Sequence, residues 1–182
     1  MSRNVLIVVD MQEDFIYGPL GTKEAKAIVP AVADKVKNFD GTVIFTRDSH
    51  REDYLNTQEG RYLPVEHCIA YSDGWDFIDV LDQMKQEAGW AVYTKNIFGC
   101  VNLAIDLRAE HRRQPLESIE LVGVCTDICV VSNALLLKAY LPEVPIWVDE
   151  ACCAGVTPEK HQAAIETMRS CQILIKETSK ES

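Results

Sequence analysis

Six short runs of aliphatic and β-branched residues punctuate the chain, at positions 5–9, 42–46, 91–94, 119–124, 146–148 and 173–175. Most are continuously apolar instead of alternating, the pattern of strands buried on both faces of a parallel sheet. Pro145 stands just before the fifth run, where a missing N–H does least harm. Between the runs the apolar residues recur with helical period. Helices are predicted over 25–38 behind a Thr22 cap, with Pro30 an internal irregularity, and over 76–87, with Phe77, Val80, Leu81 and Met84 on one face. A third covers 102–110, with Leu103, Ala104 and Leu107 together, and a fourth covers 127–140, stopped by Pro142. The fifth, 159–169, follows Thr157, Pro158 and Glu159, which read as an N-cap, a first-turn proline and an acidic first turn. Strand and helix alternate throughout. This predicts an α/β fold, a three-layer doubly wound domain on a six-stranded parallel sheet, spanning 1–182 as one unit.

In such sheets ligands bind beyond the carboxyl ends of the strands, near the point where strand order reverses. The residues there are Asp10, Met11 and Gln12; Arg47, Asp48, Ser49 and His50; Lys95 and Asn96; Cys125 to Cys129; and Asp149 with Glu150. The irregular stretch 47–74 is too long for an idle connection and is expected to serve the site.

Composition narrows the function classes. A chain of 182 residues buries roughly 70% of its unfolded surface, enough for one sizeable core. Hydrophobic residues at 47% and charged residues at 25% exclude disorder. The net charge of −10 makes nucleic acid and anionic membranes poor partners. The first apolar run is too short to span a bilayer, lacks a small-residue cleavage site and ends at Asp10, so a cytoplasmic protein with reduced thiols is expected. The seven cysteines are odd in number and do not repeat as zinc-ribbon pairs do, so each is a small buried hydrophobe or a reactive group.

Asp10, at the rim of an apolar core, is either a general base with a desolvation-raised pKa or an Asx turn or cap. Lys95 is a solvated strand end unless it faces Asp10 and a nucleophile. Thr126 or Asp127 is expected to cap the next helix and put Cys129 in its first turn, where the helix dipole favours a thiolate and N–H groups can hold an oxyanion. Cys125 and Cys129 also read as buried small residues, or as a C-x3-C redox pair. Asp48 and His50, two apart in an extended segment, point the same way; with His67 they suit zinc, manganese or iron(II), unless the loop is merely charged surface. His111 reads as solvated surface and His161 as a structural histidine.

Taken together, five segments resemble the isochorismatase-like cysteine hydrolases, and within them the nicotinamidase/pyrazinamidase family. They are Val-Val-Asp-Met-Gln-Glu-Asp-Phe at 8–15, Thr-Arg-Asp-Ser-His at 46–50, Leu-Pro-Val-Glu-His-Cys at 63–68, Lys95, and Gly-Val-Cys-Thr-Asp-Ile-Cys-Val at 123–130. The resemblance implies a Rossmann-like hydrolase domain with a catalytic triad of Asp10, Lys95 and Cys129. It implies an oxyanion hole from the backbone N–H groups of Cys125 and Cys129, with a cis peptide before Cys125. It implies one divalent metal ion, zinc before manganese or iron, on Asp48, His50 and His67, with Glu59 a fourth ligand in only some relatives. Phe15, Leu63, Trp75 and Phe98 are the candidate pocket wall, although many relatives carry an aromatic where Leu63 stands. The implied reaction converts nicotinamide to nicotinate and ammonia through a cysteine thioester, in NAD salvage. The partner is a small carboxamide, and a homo-oligomer is left open. Three other readings compete: a metal-free amidase acting on carbamoyl or ureido substrates, a non-catalytic α/β binding module in which Asp10 and Lys95 do not meet, and a redox protein using Cys125 and Cys129.

Overall fold

The computed structural model describes residues 2–177. Its strands are β1 (Asn4–Val9), β2 (Thr42–Asp48), β3 (Ala91–Lys95), β4 (Ser118–Val124), β5 (Ile146–Ala154) and β6 (Leu174–Lys176). All pair in parallel, in the order β3-β2-β1-β4-β5-β6. Strand order reverses between β1 and β4, so the crevice between their carboxyl ends is the expected ligand site. The helices are α1 (Glu13–Ile16), α2 (Lys23–Asn38), α3 (Gln58–Tyr62), α4 (Asp79–Ala88), α5 (Val101–Arg113), α6 (Val131–Tyr140) and α7 (Pro158–Ser170). None is long and apolar enough to cross a membrane among the described residues.

Side chains alternate across a strand, and a strand covered on both faces needs both sets apolar. In β1, Val5, Ile7 and Val9 join one core with Leu103 and Leu107 of α5, Ala134 and Leu137 of α6, and Ile165 and Met168 of α7. Leu6 and Val8 join the other, with Ala25, Ile28, Val32 and Val36 of α2 and Leu81 of α4. Thr22 and Thr157 cap α2 and α7 as expected, accepting hydrogen bonds from the Ala25 and Lys160 N–H groups.

Three boundaries differ from expectation. The helix predicted over 127–140 opens as a π-helical turn, Thr126–Val130, and neither Thr126 nor Asp127 caps it. Thr126 Oγ1 bonds instead to His161 Nδ1 at 2.8 Å, and Asp127 accepts from the Val156 N–H at 2.9 Å. The helix predicted from 76 begins at Asp79, because Phe77 bridges Gln12 and the Asp76 carbonyl accepts from the Glu13 N–H. Strand β5 runs six residues beyond 148 through Asp149 and Glu150. Asp149 is tolerated within it because Lys35 Nζ sits 2.5 Å away; the same ammonium lies 2.7 Å from Glu120, whose other oxygen takes Lys176. Glu120 is buried in the middle of β4, so Glu120→Ala is expected to cost about 1–3 kcal/mol in denaturant unfolding. That falls below the cost of a fully stranded charge, because Lys35 keeps Asp149.

Candidate active site

Asp10 ends β1 with φ +49°, a left-handed conformation that a short polar side chain tolerates. This bend turns the carboxylate into the crevice, where it is fully buried. Thr46 Oγ1 donates to Oδ1 at 2.7 Å, and Lys95 Nζ, from the end of β3, lies 2.6 Å from Oδ2. Lys95 also lies 3.4 Å from Asp48 Oδ1 and 3.6 Å from Cys129 Sγ. One ammonium thus joins the ends of four neighbouring strands. Asp10 and Lys95 meet, which a mere binding module does not require.

Burial lifts the Asp10 carboxyl above the ordinary carboxylate range against the pull of Lys95. Burial alone would draw the Lys95 ammonium down, but Asp10, Cys129 and Asp48 together hold it above its ordinary value. Burial, and then the Asp10 charge, push the Cys129 thiol well above its ordinary value. This favours the protonated thiol at neutral pH.

Cys129 sits in the π-helical turn directly beyond β4, and the Val124–Cys125 peptide is cis. Close approach of β4 to β1 depends on Gly123: its φ is +115°, and a Cβ there would lie 2.2 Å from the Val9 carbonyl oxygen. Buried Asn133, one helical turn after Cys129, donates to the Cys129 and Phe98 carbonyls at 2.8 and 3.1 Å and accepts from the Cys100 N–H at 2.9 Å. It ties the β3–α5 connection to the turn that carries the thiol.

The stretch 47–74 folds back to form a second cluster beside the first. Asp48, His50 and His67 are buried, and one potential ligand atom from each lies within 4.8 Å of the others. His50 Nε2 and His67 Nε2 stand 2.9 and 3.7 Å from Asp48 Oδ2, and 3.8 and 3.9 Å from Glu59 Oε1. Donors at about 2.0–2.2 Å from one first-row ion lie roughly 3–3.5 Å apart, so the Asp48, His50 and His67 atoms suit a shared cation, with Glu59 at the edge of the group. His67 Nδ1 is 2.8 Å from the Val65 carbonyl, which can only accept. The Nδ1 nitrogen therefore carries a proton, and Nε2 is the nitrogen turned toward the cluster. Burial pulls the His50 imidazole down, but the Asp48 and Glu59 carboxylates outweigh it and its pKa rises. Two buried imidazoles facing two carboxylates form a donor set that fits a divalent ion.

Several supporting residues were not singled out from the sequence. Buried Gln12 grips the Asp48 backbone from both sides: its Oε1 accepts from the Asp48 N–H at 2.7 Å and its Nε2 donates to the Asp48 carbonyl at 2.9 Å. The same Nε2 reaches the Trp75 carbonyl at 2.9 Å. Tyr54 is fully buried against both imidazole rings, at 4.7 and 4.9 Å between centroids, and its hydroxyl donates to the Leu63 carbonyl. Asp14 accepts from the N–H of Cys68, the residue after His67.

A cavity of about 660 Å³ opens over both clusters, lined by Phe15, Leu63 and Phe98 and by Cys129, Asp48 and His67. Trp75 is the exception among the expected wall residues. It does not line the cavity; its ring lies 3.9 Å beneath the Arg47 guanidinium and beside Tyr71. Nothing local in the sequence reveals this cation–π partner. His161 is a structural histidine, bonded to Thr126, while the His111 ring accepts from the Leu116 N–H.

Known proteins share this fold. The model of the isochorismatase domain matches residues 4–179. The nicotinamidase/pyrazinamidase of Mycobacterium tuberculosis is 27% identical over 179 residues, covering 92% of this chain and 95% of the relative. The crystal structure of the Pyrococcus horikoshii pyrazinamidase in complex with zinc superposes with a TM-score of 0.78 at 25% identity, over 97% of this chain and 99% of that one. The N-carbamoylsarcosine amidase of Thermoplasma acidophilum superposes with a TM-score of 0.75 at 26% identity, over the full length of both chains. With nearly the whole chain matched, and the buried acid, ammonium and thiol gathered at the strand-order reversal, the protein belongs to the isochorismatase domain family.

Proposed function

We propose that the protein is a metal-dependent cysteine amidohydrolase that converts nicotinamide to nicotinate and ammonia in the cytoplasm, feeding NAD salvage. The observation that carries this reading is the position of Lys95, within 3.6 Å of Asp10, Asp48 and Cys129, which links a nucleophile and its base to a metal-type donor cluster.

In this reading Asp10 is the general base. Thr46 and Lys95 each hold one of its oxygens, so its geometry is set before substrate arrives. Asp10 takes the Cys129 proton as sulfur attacks the carboxamide carbon, and Lys95 steadies the paired charges. The backbone N–H groups of Cys125 and Cys129 receive the oxyanion. Asp10 then returns the proton to the departing nitrogen as the C–N bond breaks, leaving a thioester and ammonia. Water attacks the thioester, Asp10 accepts its proton and passes it to the leaving Cys129 sulfur, and the acid is released. Asp48, His50 and His67 would hold the ion, with Glu59 beside them at the edge of the group and zinc expected from the mixed imidazole and carboxylate donors. When bound, the ion supplies Lewis acidity and an open coordination position for a ring nitrogen. Phe15, Leu63 and Phe98 hold the ring edge and exclude water.

The likeness to an N-carbamoylsarcosine amidase keeps a second reading alive, a metal-free amidase of ureido substrates. That reading needs the triad but gives no task to the two buried imidazoles. Chelation followed by reconstitution tests between them: the first reading expects ammonia release from nicotinamide to be lost and then restored by zinc, and chelator-insensitive turnover would refute it.

Gln12 supports the donor cluster only through the Asp48 backbone, so Gln12→Leu is expected to weaken zinc binding about 10–100-fold. Competition against a chromogenic chelator measures this directly. Unchanged affinity in the folded variant would remove Gln12 from the account.

A further inference from the structure

The two ends of the cavity differ in character. The inner end, at Cys129, Asp48 and His67, is buried and polar and occupies one edge of a small substrate. The outer end is formed by Tyr62, Leu63, Ile97, Phe98 and Val156, which are 85%, 36%, 49%, 38% and 38% exposed. Twelve large hydrophobic side chains are exposed among the described residues, and these five converge on this one rim. They come from separate stretches of chain: the end of α3 and the residue after it, the β3–α5 connection and the β5–α7 connection. Exposed apolar side chains scattered singly need no explanation, but a contiguous set around a cleft marks a binding surface. The rim is also held in place. The Tyr54 hydroxyl bonds to the Leu63 carbonyl at 2.9 Å, Asn133 bonds to the Phe98 carbonyl at 3.1 Å, and the Val156 N–H donates to Asp127 at 2.9 Å.

The volume is generous as well. About 660 Å³ falls within the range, roughly 300–1,000 Å³, of pockets that enclose drug-sized ligands. A single pyridine ring with its carboxamide fills the inner end as far as Leu63 and Phe98 and leaves Ile97, Val156 and Tyr62 in water.

From this we infer that the preferred substrates are ring carboxamides bearing an apolar substituent on the side of the ring remote from the carboxamide. The inference rests on the amidase reading above and narrows its substrate class. The reacting amide stays at Cys129, while the substituent runs outward between Phe98 and Leu63 to cover Ile97, Val156 and Tyr62. Among the described residues Lys160 is the only cation lining the mouth, so a substituent ending in a carboxylate is the competing class. Five apolar side chains against one solvated ammonium favour the alkyl or aryl group.

Each buried methylene is worth roughly fourfold in affinity. Contacts remote from the reacting atoms act equally on bound substrate and transition state, so the gain should appear in KM with kcat little changed. The experiment compares ammonia release from nicotinamide with release from analogues carrying methyl, propyl, phenyl or carboxyethyl at the ring carbon meta to the carboxamide. It uses the zinc-loaded wild type and an Ile97→Ser/Val156→Ser double variant. We expect kcat/KM to rise about tenfold or more from nicotinamide to the propyl and phenyl analogues. The double variant should erase most of that rise and leave nicotinamide within about twofold. A flat or falling series, a carboxyethyl analogue that beats propyl, or a double variant that harms nicotinamide equally would overturn the inference and leave the amidase reading standing. So would light scattering that shows a dimer broken by the double substitution without any change in the series. If no compound releases ammonia, the amidase reading itself fails. Calorimetric binding of the same compounds to zinc-loaded Cys129→Ala then judges the substituent preference separately, with a flat series counting against it.

Discussion

Replacing Cys129 by alanine is expected to lower ammonia release from nicotinamide by about 10⁴-fold or more, with the fold and the donor cluster intact. The size of the effect follows from covalent chemistry. On the proposed mechanism, without sulfur no thioester forms, and the remaining donors can only orient an amide that water must attack unaided. The change removes one small atom from a side chain that is 5% exposed, so unfolding should be little affected. Cys125 is the internal control. Only its backbone N–H enters the proposed chemistry, so Cys125→Ala should keep activity within a few-fold of wild type. Loss of activity in both variants would revive a reaction that needs two sulfurs. Steady-state ammonia release, with circular dichroism on the same samples, separates these outcomes.

The second large effect is expected at Asp10. Asp10→Asn keeps an oxygen near Lys95 and Thr46 but cannot take a proton, and removal of a general base costs roughly 10²–10⁴-fold. The pH profile gives the sign. A base works only when deprotonated, so kcat/KM must fall as pH drops through the Asp10 pKa. Burial raises that pKa more than Lys95 and Thr46 lower it. The acid limb should therefore lie above the value near 4 of an ordinary carboxylate. It should be absent from the residual activity of Asp10→Asn. A limb at the ordinary carboxylate value, or one that survives in the variant, would assign the proton transfer to another group.

Much of this site could be read from the sequence because of where the residues fall. Asp10, Lys95 and Cys129 each stand just past an apolar run, and the geometry of a doubly wound sheet brings such positions together. Asp48 and His50 could be read for the same reason, and His67 through its motif. What could not be read depends on contacts between distant parts of the chain. Gln12 matters because of two bonds to the backbone of Asp48, 36 residues away, and Tyr54 because two imidazoles close over its ring. Asn133 looked like an interior helix residue, yet it fastens a loop 35 residues earlier. The mistaken cap at Thr126 or Asp127 has a similar origin. Local rules expect a hydroxyl or carboxylate before a helix to serve that helix, whereas here His161 and Val156 claim both side chains. Trp75 suits a pocket wall by residue type alone, and only the fold shows Arg47 lying over its face. The polar pair at 149–150 hid the second half of β5, since the Lys35 and Glu120 network that makes Asp149 acceptable comes from other elements.

The central claim is that the linked triad and donor cluster hydrolyse a ring carboxamide, not a ureido acid. The direct measurement is product formation by the zinc-loaded wild type, offered nicotinamide and an N-carbamoyl amino acid in parallel, with ammonia and organic acid both quantified. The account predicts equimolar nicotinate and ammonia from nicotinamide, abolished by chelation, and negligible turnover of the N-carbamoyl compound. Hydrolysis of the N-carbamoyl compound alone, unaffected by chelator, would contradict it.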